Sequence, residues 1–90
     1  LEVVVHDYRK PQHSVIAVFG GQITGRKVGD PITTLGEARR AGKNVPDELL
    51  NYEGTAPDGR RLKCSSIAIR DEQNELLGAI CFNLDLSPFQ

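Results

Sequence analysis

Leu62-Lys63-Cys64-Ser65-Ser66-Ile67-Ala68-Ile69-Arg70-Asp71-Glu72-Gln73-Asn74-Glu75-Leu76-Leu77-Gly78-Ala79-Ile80-Cys81-Phe82-Asn83-Leu84-Asp85-Leu86 consists of two strand-like runs around the polar reversal Asp71–Glu75. Such a pattern predicts an antiparallel hairpin. Side chains alternate along a strand, so Leu76, Gly78, Ile80, Phe82 and Leu84 point one way and Leu77, Ala79, Cys81, Asn83 and Asp85 the other. The preceding run divides into Leu62, Cys64, Ser66 and Ala68 on one face and Lys63, Ser65, Ile67 and Ile69 on the other. An odd pairing register would unite Cys64, Ser66, Ala79, Cys81 and Asn83 on one small, partly polar surface; an even register would scatter them. In the odd register, Ile67, Ile69, Ile80, Phe82 and Leu84 form an apolar stripe on the opposite surface, which calls for cover from another segment or a partner subunit.

Working towards the N-terminus, Asn51–Ala56 is strand-like and is joined to the hairpin by the turn Pro57-Asp58-Gly59, giving a meander of three strands. Leu1–His6 and Ser14–Phe19 are rich in β-branched residues and connected by a short polar stretch, which predicts a second antiparallel pair. Four glycines between Gly20 and Gly29, with Arg26-Lys27 among them, indicate an irregular loop. Thr34-Leu35-Gly36-Glu37 has the form of a capping box, and Gly42 suits a helix C-terminus, so a short helix is expected from Leu35 to Ala41. Val45-Pro46-Asp47-Glu48-Leu49-Leu50 repeats the helix-start pattern and predicts a second helix of about one turn. The order β-β-α-α-β-β-β predicts an α+β domain, one sheet with its short helices on one face.

Ninety residues can enclose one core, so residues 1–90 are read as a single domain. Eleven Lys and Arg against twelve Asp and Glu give a net charge of −1, leaving no field to draw the chain to nucleic acid or an anionic bilayer. No apolar run approaches the roughly 20 residues of a membrane helix. The two cysteines, Cys64 and Cys81, lie in apolar strands as small buried hydrophobes do in a reducing compartment, which places the chain in the cytoplasm. The strand-like beginning without Met and the terminal Ser87-Pro88 suggest a fragment of a longer protein.

Val5-His6-Asp7, Ser14-Val15-Ile16-Ala17-Val18, Thr24-Gly25-Arg26-Lys27-Val28-Gly29-Asp30-Pro31-Ile32-Thr33, Asp58-Gly59-Arg60, Leu62–Ser66, Ile69-Arg70-Asp71 and Gly78–Asp85, in this order and spacing, resemble the YheO-like PAS domain. The resemblance spans nearly the whole chain and implies a PAS-like five-stranded antiparallel sheet with short helices on one face. It further implies the N-terminal sensory half of a bacterial transcriptional regulator, touching DNA only through a C-terminal helix-turn-helix absent from this chain. One departure is the stretch Gly42–Leu50, which is short for the central helical region of a PAS domain and bears on the size of any pocket. By analogy with PAS photosensors, whose last strand aims an amide at the chromophore, Asn83 would face the pocket with Cys81 and Ala79. The flavin-attaching cysteine motif of those sensors is missing, as is a haem ligand, so no cofactor is expected.

The expected ligand-binding set is Asn83, Cys81, Ser66, Cys64, Asn51 and Arg26, taking a small polar metabolite. Gly25–Gly29 could offer backbone donors and cations to a carboxylate or phosphate, although a solvated loop between strand and helix explains the same residues more simply. His6-Asp7 is read as a strand end closed by a hydrogen-bonded turn. His6, His13, Cys64 and Cys81 have no zinc-like spacing, and Ser65-Ser66 lacks the elbow glycines and base of a serine nucleophile, so neither metal nor catalysis is expected. The alternative to a metabolite sensor is a ligand-free dimerisation module, with Ile67, Ile69, Ile80, Phe82 and Leu84 as the homodimer surface.

Overall fold

A computed structural model of the chain describes residues 1–89. Five strands, β1 (Glu2–Asp7), β2 (Val15–Gly20), β3 (Glu48–Thr55), β4 (Arg61–Arg70) and β5 (Leu76–Asp85), and one helix, α1 (Thr34–Arg40), are joined by turns that include 3-10 segments at Pro11–His13 and Ser87–Phe89. The strands form one antiparallel sheet in the order β2-β1-β5-β4-β3. The first and last strands are therefore neighbours at its centre. This is the PAS-like α+β arrangement expected from the sequence.

The hairpin register is odd: Cys64 lies opposite Asn83 and Ser66 opposite Cys81. On β1, Glu2 faces Asn83, Val4 faces Cys81 and His6 faces Ala79, so alternation carries the same inner surface across the centre of the sheet. Val4, Leu62, Cys64, Ser66, Ala79 and Asn83 are all buried there. The outer surface carries Val3, Val5, Ile67, Ile69, Ile80, Phe82 and Leu84; none of these side chains is fully buried, and Phe19 beside Val3 is 60% exposed. Leu84 is exposed and the other members of the stripe are partly buried.

Thr33 caps α1, its Oγ1 accepting from Gly36 N, one residue earlier than the capping-box pattern placed it. At the other end Gly42 takes φ +74°, with Gly42 N bonded to Arg39 O and Lys43 N to Ala38 O, a Schellman closure that needs a left-handed residue. The expected second helix does not form. Glu48, Leu49 and Leu50 instead begin β3, with Glu48 opposite Ile67 and Leu49 opposite Ser66. Helical pairing would commit the carbonyls of Pro46 and Asp47 to amides four residues on. Here both accept from Arg39 Nη2, and Asp47 O also accepts from Ala68 N, which holds the segment extended along the sheet edge.

β1 and β5 approach so closely that a Cβ on Gly78 would lie 2.0 Å from His6 O. Because a backbone carbonyl in the central ladder cannot move aside, Gly78→Ala is expected to destabilise the fold by about 2 kcal/mol or more in chemical denaturation.

Candidate functional site

The inner face of the sheet and the segment Gly21–Leu35 border a half-open cavity of about 180 Å³. Val4 and His6 from β1, Tyr52 and Gly54 from β3, Leu62 and Cys64 from β4, and Cys81 and Asn83 from β5 form its floor. Thr24, Arg26, Thr33 and Leu35 close it from the loop and the start of α1, and Thr55 completes the rim.

The loop is held down by a buried carboxylate. Glu2 has no solvent exposure, and no basic side chain forms an ion pair with it among the described residues. Its Oε2 accepts from Ile23 N (2.9 Å) and Thr24 N (3.1 Å), and its Oε1 from Thr24 Oγ1 (2.8 Å) and Asn83 Nδ2 (3.1 Å). Burial pushes this carboxyl up, but the donors from Ile23, Thr24 and Asn83 more than offset it and hold it below the ordinary glutamate value. Arg60 secures the other side of the same loop, donating to Ile23 O (3.1 Å) while pairing with Asp85 (3.1 Å). The Ile23 side chain then packs with Ala56, Leu62 and Cys64.

A buried cation completes the polar interior. Arg39 from α1 donates to Ser66 Oγ (2.6 Å), Ser66 O (3.2 Å), Pro46 O (3.1 Å) and Asp47 O (3.2 Å), while its Nε is buried without a partner. Ser66 Oγ also lies 3.4 Å from Cys81 Sγ. Such a hydroxyl, facing a guanidinium and a thiol, has no base to activate it as a nucleophile. Burial pushes both thiols up, so Cys64 and Cys81 are neutral at physiological pH. Burial, followed by the neighbouring thiols, pushes Tyr52 up to about 12. Among the described residues no group of three His, Cys, Asp or Glu side chains could hold a metal ion.

Of the expected ligand-binding residues, Asn83, Cys81, Cys64 and Arg26 line the cavity. Ser66 lies behind Cys81, bonded to Arg39. Asn51 is exposed at an irregularity of β3, with φ +56° and its N donating to Ser65 Oγ, and does not line the cavity. A bulge shifts alternation by one position, which period-two reading cannot anticipate. Asn83 combines two roles between which the sequence does not choose, lining the cavity while giving its amide nitrogen to Glu2. Asp7 makes the expected turn, accepting from Arg9 N (3.0 Å) and Arg9 Nε (2.9 Å). His6, in contrast, is buried against the cavity and bonded through Nδ1 to Ser14 Oγ (2.7 Å). Burial, aided by the Arg26 charge, lowers its pKa to about 4, so the imidazole is neutral. The sequence reading overlooked Glu2 and Arg39. For Glu2 a signal existed, since it shares the inward phase of β1 with Val4 and His6.

Sequence comparison matches residues 1–90 to the YheO-like PAS domain. The chain is 34% identical over 87 residues to a Haemophilus influenzae protein, covering 94% of this chain and 38% of that one. It is 33% identical over 91 residues to YheO of Escherichia coli, covering 98% and 38% of the respective chains. It is 32% identical over 92 residues to the transcriptional regulator DauR of Pseudomonas aeruginosa, covering 99% and 40%.

The two buried titratable groups of β1 set a pH dependence of stability. The unfolded imidazole binds its proton near 6.5 and the folded one near 4, so the unfolded state holds more protons between these values and stability declines as pH falls through that window. The loss from His6 is expected to reach at most about 3 kcal/mol. The Glu2 contribution, fully present above the ordinary carboxyl value of 4.5, is lost at still lower pH, as the carboxyl passes its depressed folded pKa. Denaturation measured from pH 7 to 4 should show a slope that His6→Gln flattens. Glu2→Gln should retain the slope but lower stability at neutral pH by about 1–3 kcal/mol, because one oxygen facing donors becomes a donor itself.

Proposed function

The chain belongs to the YheO-like PAS family, and from that membership we propose that it is the sensory domain of a bacterial transcriptional regulator. In this reading it binds a small polar metabolite in the cavity between the sheet and the Gly21–Leu35 segment. The signal then passes to a helix-turn-helix DNA-binding domain elsewhere in the longer protein. The single observation that carries the reading is the half-open cavity, whose polar lining is positioned by bonds outside it: Asn83 by Glu2, His6 by Ser14 and the loop bearing Arg26 by Glu2 and Arg60. Fixed polar groups around a small void suit recognition better than packing, since a void without an occupant costs its lining their contacts. The chain spans about two fifths of the length of the curated relatives it matches. One of them is named as a transcriptional regulator.

The neutral thiols and the base-free Ser66 support a non-enzymatic role. Among the described residues no helix is long and apolar enough to cross a membrane. A cytoplasmic site of action follows from the regulatory reading.

A ligand acts on the attached domain only through a difference in its affinity for two conformations. The Gly21–Leu35 segment is the natural element to differ, because it closes the cavity through a handful of polar bonds while the floor belongs to the central sheet. Thermal-shift and NMR screening of polar metabolites should find a compound that stabilises the protein and moves the resonances of Tyr52, Cys81 and Asn83. Cys81→Phe, which fills the cavity from the floor, should abolish that response and the corresponding regulation while the fold persists by circular dichroism. Asn83→Leu is a poorer test, since it also removes a donor from Glu2. Regulation that survives Cys81→Phe would refute the sensing role.

The bare outer face supports a second reading, in which the chain is a dimerisation module. Ile67, Ile69, Ile80, Phe82 and Leu84 form a stripe that a symmetric copy would bury. Sedimentation should then show a dimer that Ile80→Lys converts to monomer without altering ligand binding on the other face. A wild-type monomer at micromolar concentration would dismiss this reading.

A further inference from the structure

We infer that the cavity is built for a small monocarboxylate whose remaining atoms are uncharged and carry a hydroxyl, held through the carboxylate by Arg26 and through the hydroxyl by Asn83. The inference rests on the cavity being a ligand site and names the class of molecule it takes.

Charge comes first. Arg26 is the one ionised side chain in the lining, because His6, Tyr52, Cys64 and Cys81 are neutral at physiological pH. Among the described residues Arg26 forms no salt bridge. Its Nη1 donates to Pro31 O at 3.3 Å, leaving the edge formed by Nε and Nη2 without a partner among the described residues. That edge has the planar two-donor geometry that matches a carboxylate. A phosphate dianion would face a single cation here, with the ionised Glu2 lying just behind Asn83.

The lining also excludes a cationic group. No acid lines the cavity, and the nearest carboxylate, Glu2, has both oxygens occupied by four donors. An amino acid bound through Arg26 would bring its ammonium into a space with no anionic partner, which disfavours it relative to the matching hydroxy acid.

Glu2 further fixes the orientation of Asn83. An ionised carboxylate only accepts, so Asn83 must turn its NH2 group towards Glu2. Asn83 Oδ1 is left without a partner among the described residues and is an acceptor for an O–H group. Size narrows the class: beside the 150 Å³ that accommodates benzene, about 180 Å³ of half-open space suits a buried portion of roughly six to nine non-hydrogen atoms.

The test compares three matched probes on the protein by NMR titration: 2-hydroxybutyrate, 2-aminobutyrate and 2-hydroxybutyramide. The hydroxy acid should bind at least about tenfold more tightly than either other probe, with shifts at the Asn83 amide, Tyr52 and His6. Arg26→Gln should remove the preference for the acid over the amide, and Arg26→Lys should restore part of it. Since Arg26 is partly exposed, both variants should keep the wild-type fold, which the same spectra report. Equal binding of the amide, tighter binding of the amino acid, or indifference to Arg26→Gln would overturn the carboxylate assignment. Silence from all three probes, alongside a neutral or cationic hit from the wider metabolite screen at the same resonances, would leave the site standing and remove its assigned class. Silence in both experiments would remove both.

Discussion

The arrangement of the cavity depends on a carboxylate buried without a counter-ion. Desolvating Glu2 is costly, and the fold answers with four neutral donors drawn from distant parts of the chain: the amides of Ile23 and Thr24, the Thr24 hydroxyl and the Asn83 side chain. These bonds connect the first strand to the last and pin the glycine-rich loop over the sheet. The position of Arg26, two residues beyond Thr24, follows from them, as does the orientation of Asn83. A buried group that is fully bonded specifies geometry well because every alternative arrangement leaves it unsatisfied.

Arg39 provides the same kind of device with the opposite sign. Among the described residues its guanidinium pairs with no carboxylate and donates to Ser66 and the carbonyls of Pro46 and Asp47. Those carbonyl bonds tie the C-terminal half of α1 to the segment entering β3, and they account for the extended backbone where the sequence carries a helix-start pattern. Pro46-Asp47-Glu48 has the local chemistry of a helix N-terminus, but tertiary bonds to a buried cation, together with the pairing of Glu48 and Leu49 on β4, prevail over it. With only α1 above the sheet, the space left over the inner face is closed by loop rather than by helix.

Local features of the fold were legible in the sequence. Alternation in β4 and β5 separates a small polar face from a large apolar one, Gly42 marks the end of α1, and Asp58-Gly59 marks the turn before β4. Alternation alone leaves the register open, and the pairing of Cys64 with Asn83 makes it odd. Cys64, Cys81 and Asn83 reach the cavity because alternation is a reliable guide wherever a strand is regular, whereas Arg26 reaches it from the loop. Asn51 lies outside the cavity lining, at the irregularity of β3 between Leu49 and Tyr52. Glu2 and Arg39 escaped notice for a different reason. A charged residue in an inward phase reads as an exception until its partners are known, and those partners lie 21 to 81 residues away for Glu2 and up to 27 for Arg39.

Glu2 on β1, Arg39 on α1 and Arg26 on the loop thus bring charge to this side of the sheet in different states of satisfaction. The Glu2 carboxylate is saturated, and Arg39 is bonded through both terminal nitrogens to oxygens that cannot leave. Arg26 makes one long bond to Pro31 O and otherwise meets the cavity and solvent. In protein interiors a charge is tolerated when its bonds are made within the fold; Glu2 meets that condition in full, and Arg39 meets it at Nη1 and Nη2 while its Nε stays unpartnered. A cation kept at the mouth of a small half-open cavity with donors to spare serves the fold little, since water satisfies it equally well. Its spare donors gain strength only when an anion displaces that water into a site of lower dielectric. The contrast between saturated and unsaturated charges, more than the shape of the void, distinguishes the part of this interior that maintains the fold from the part available to a ligand.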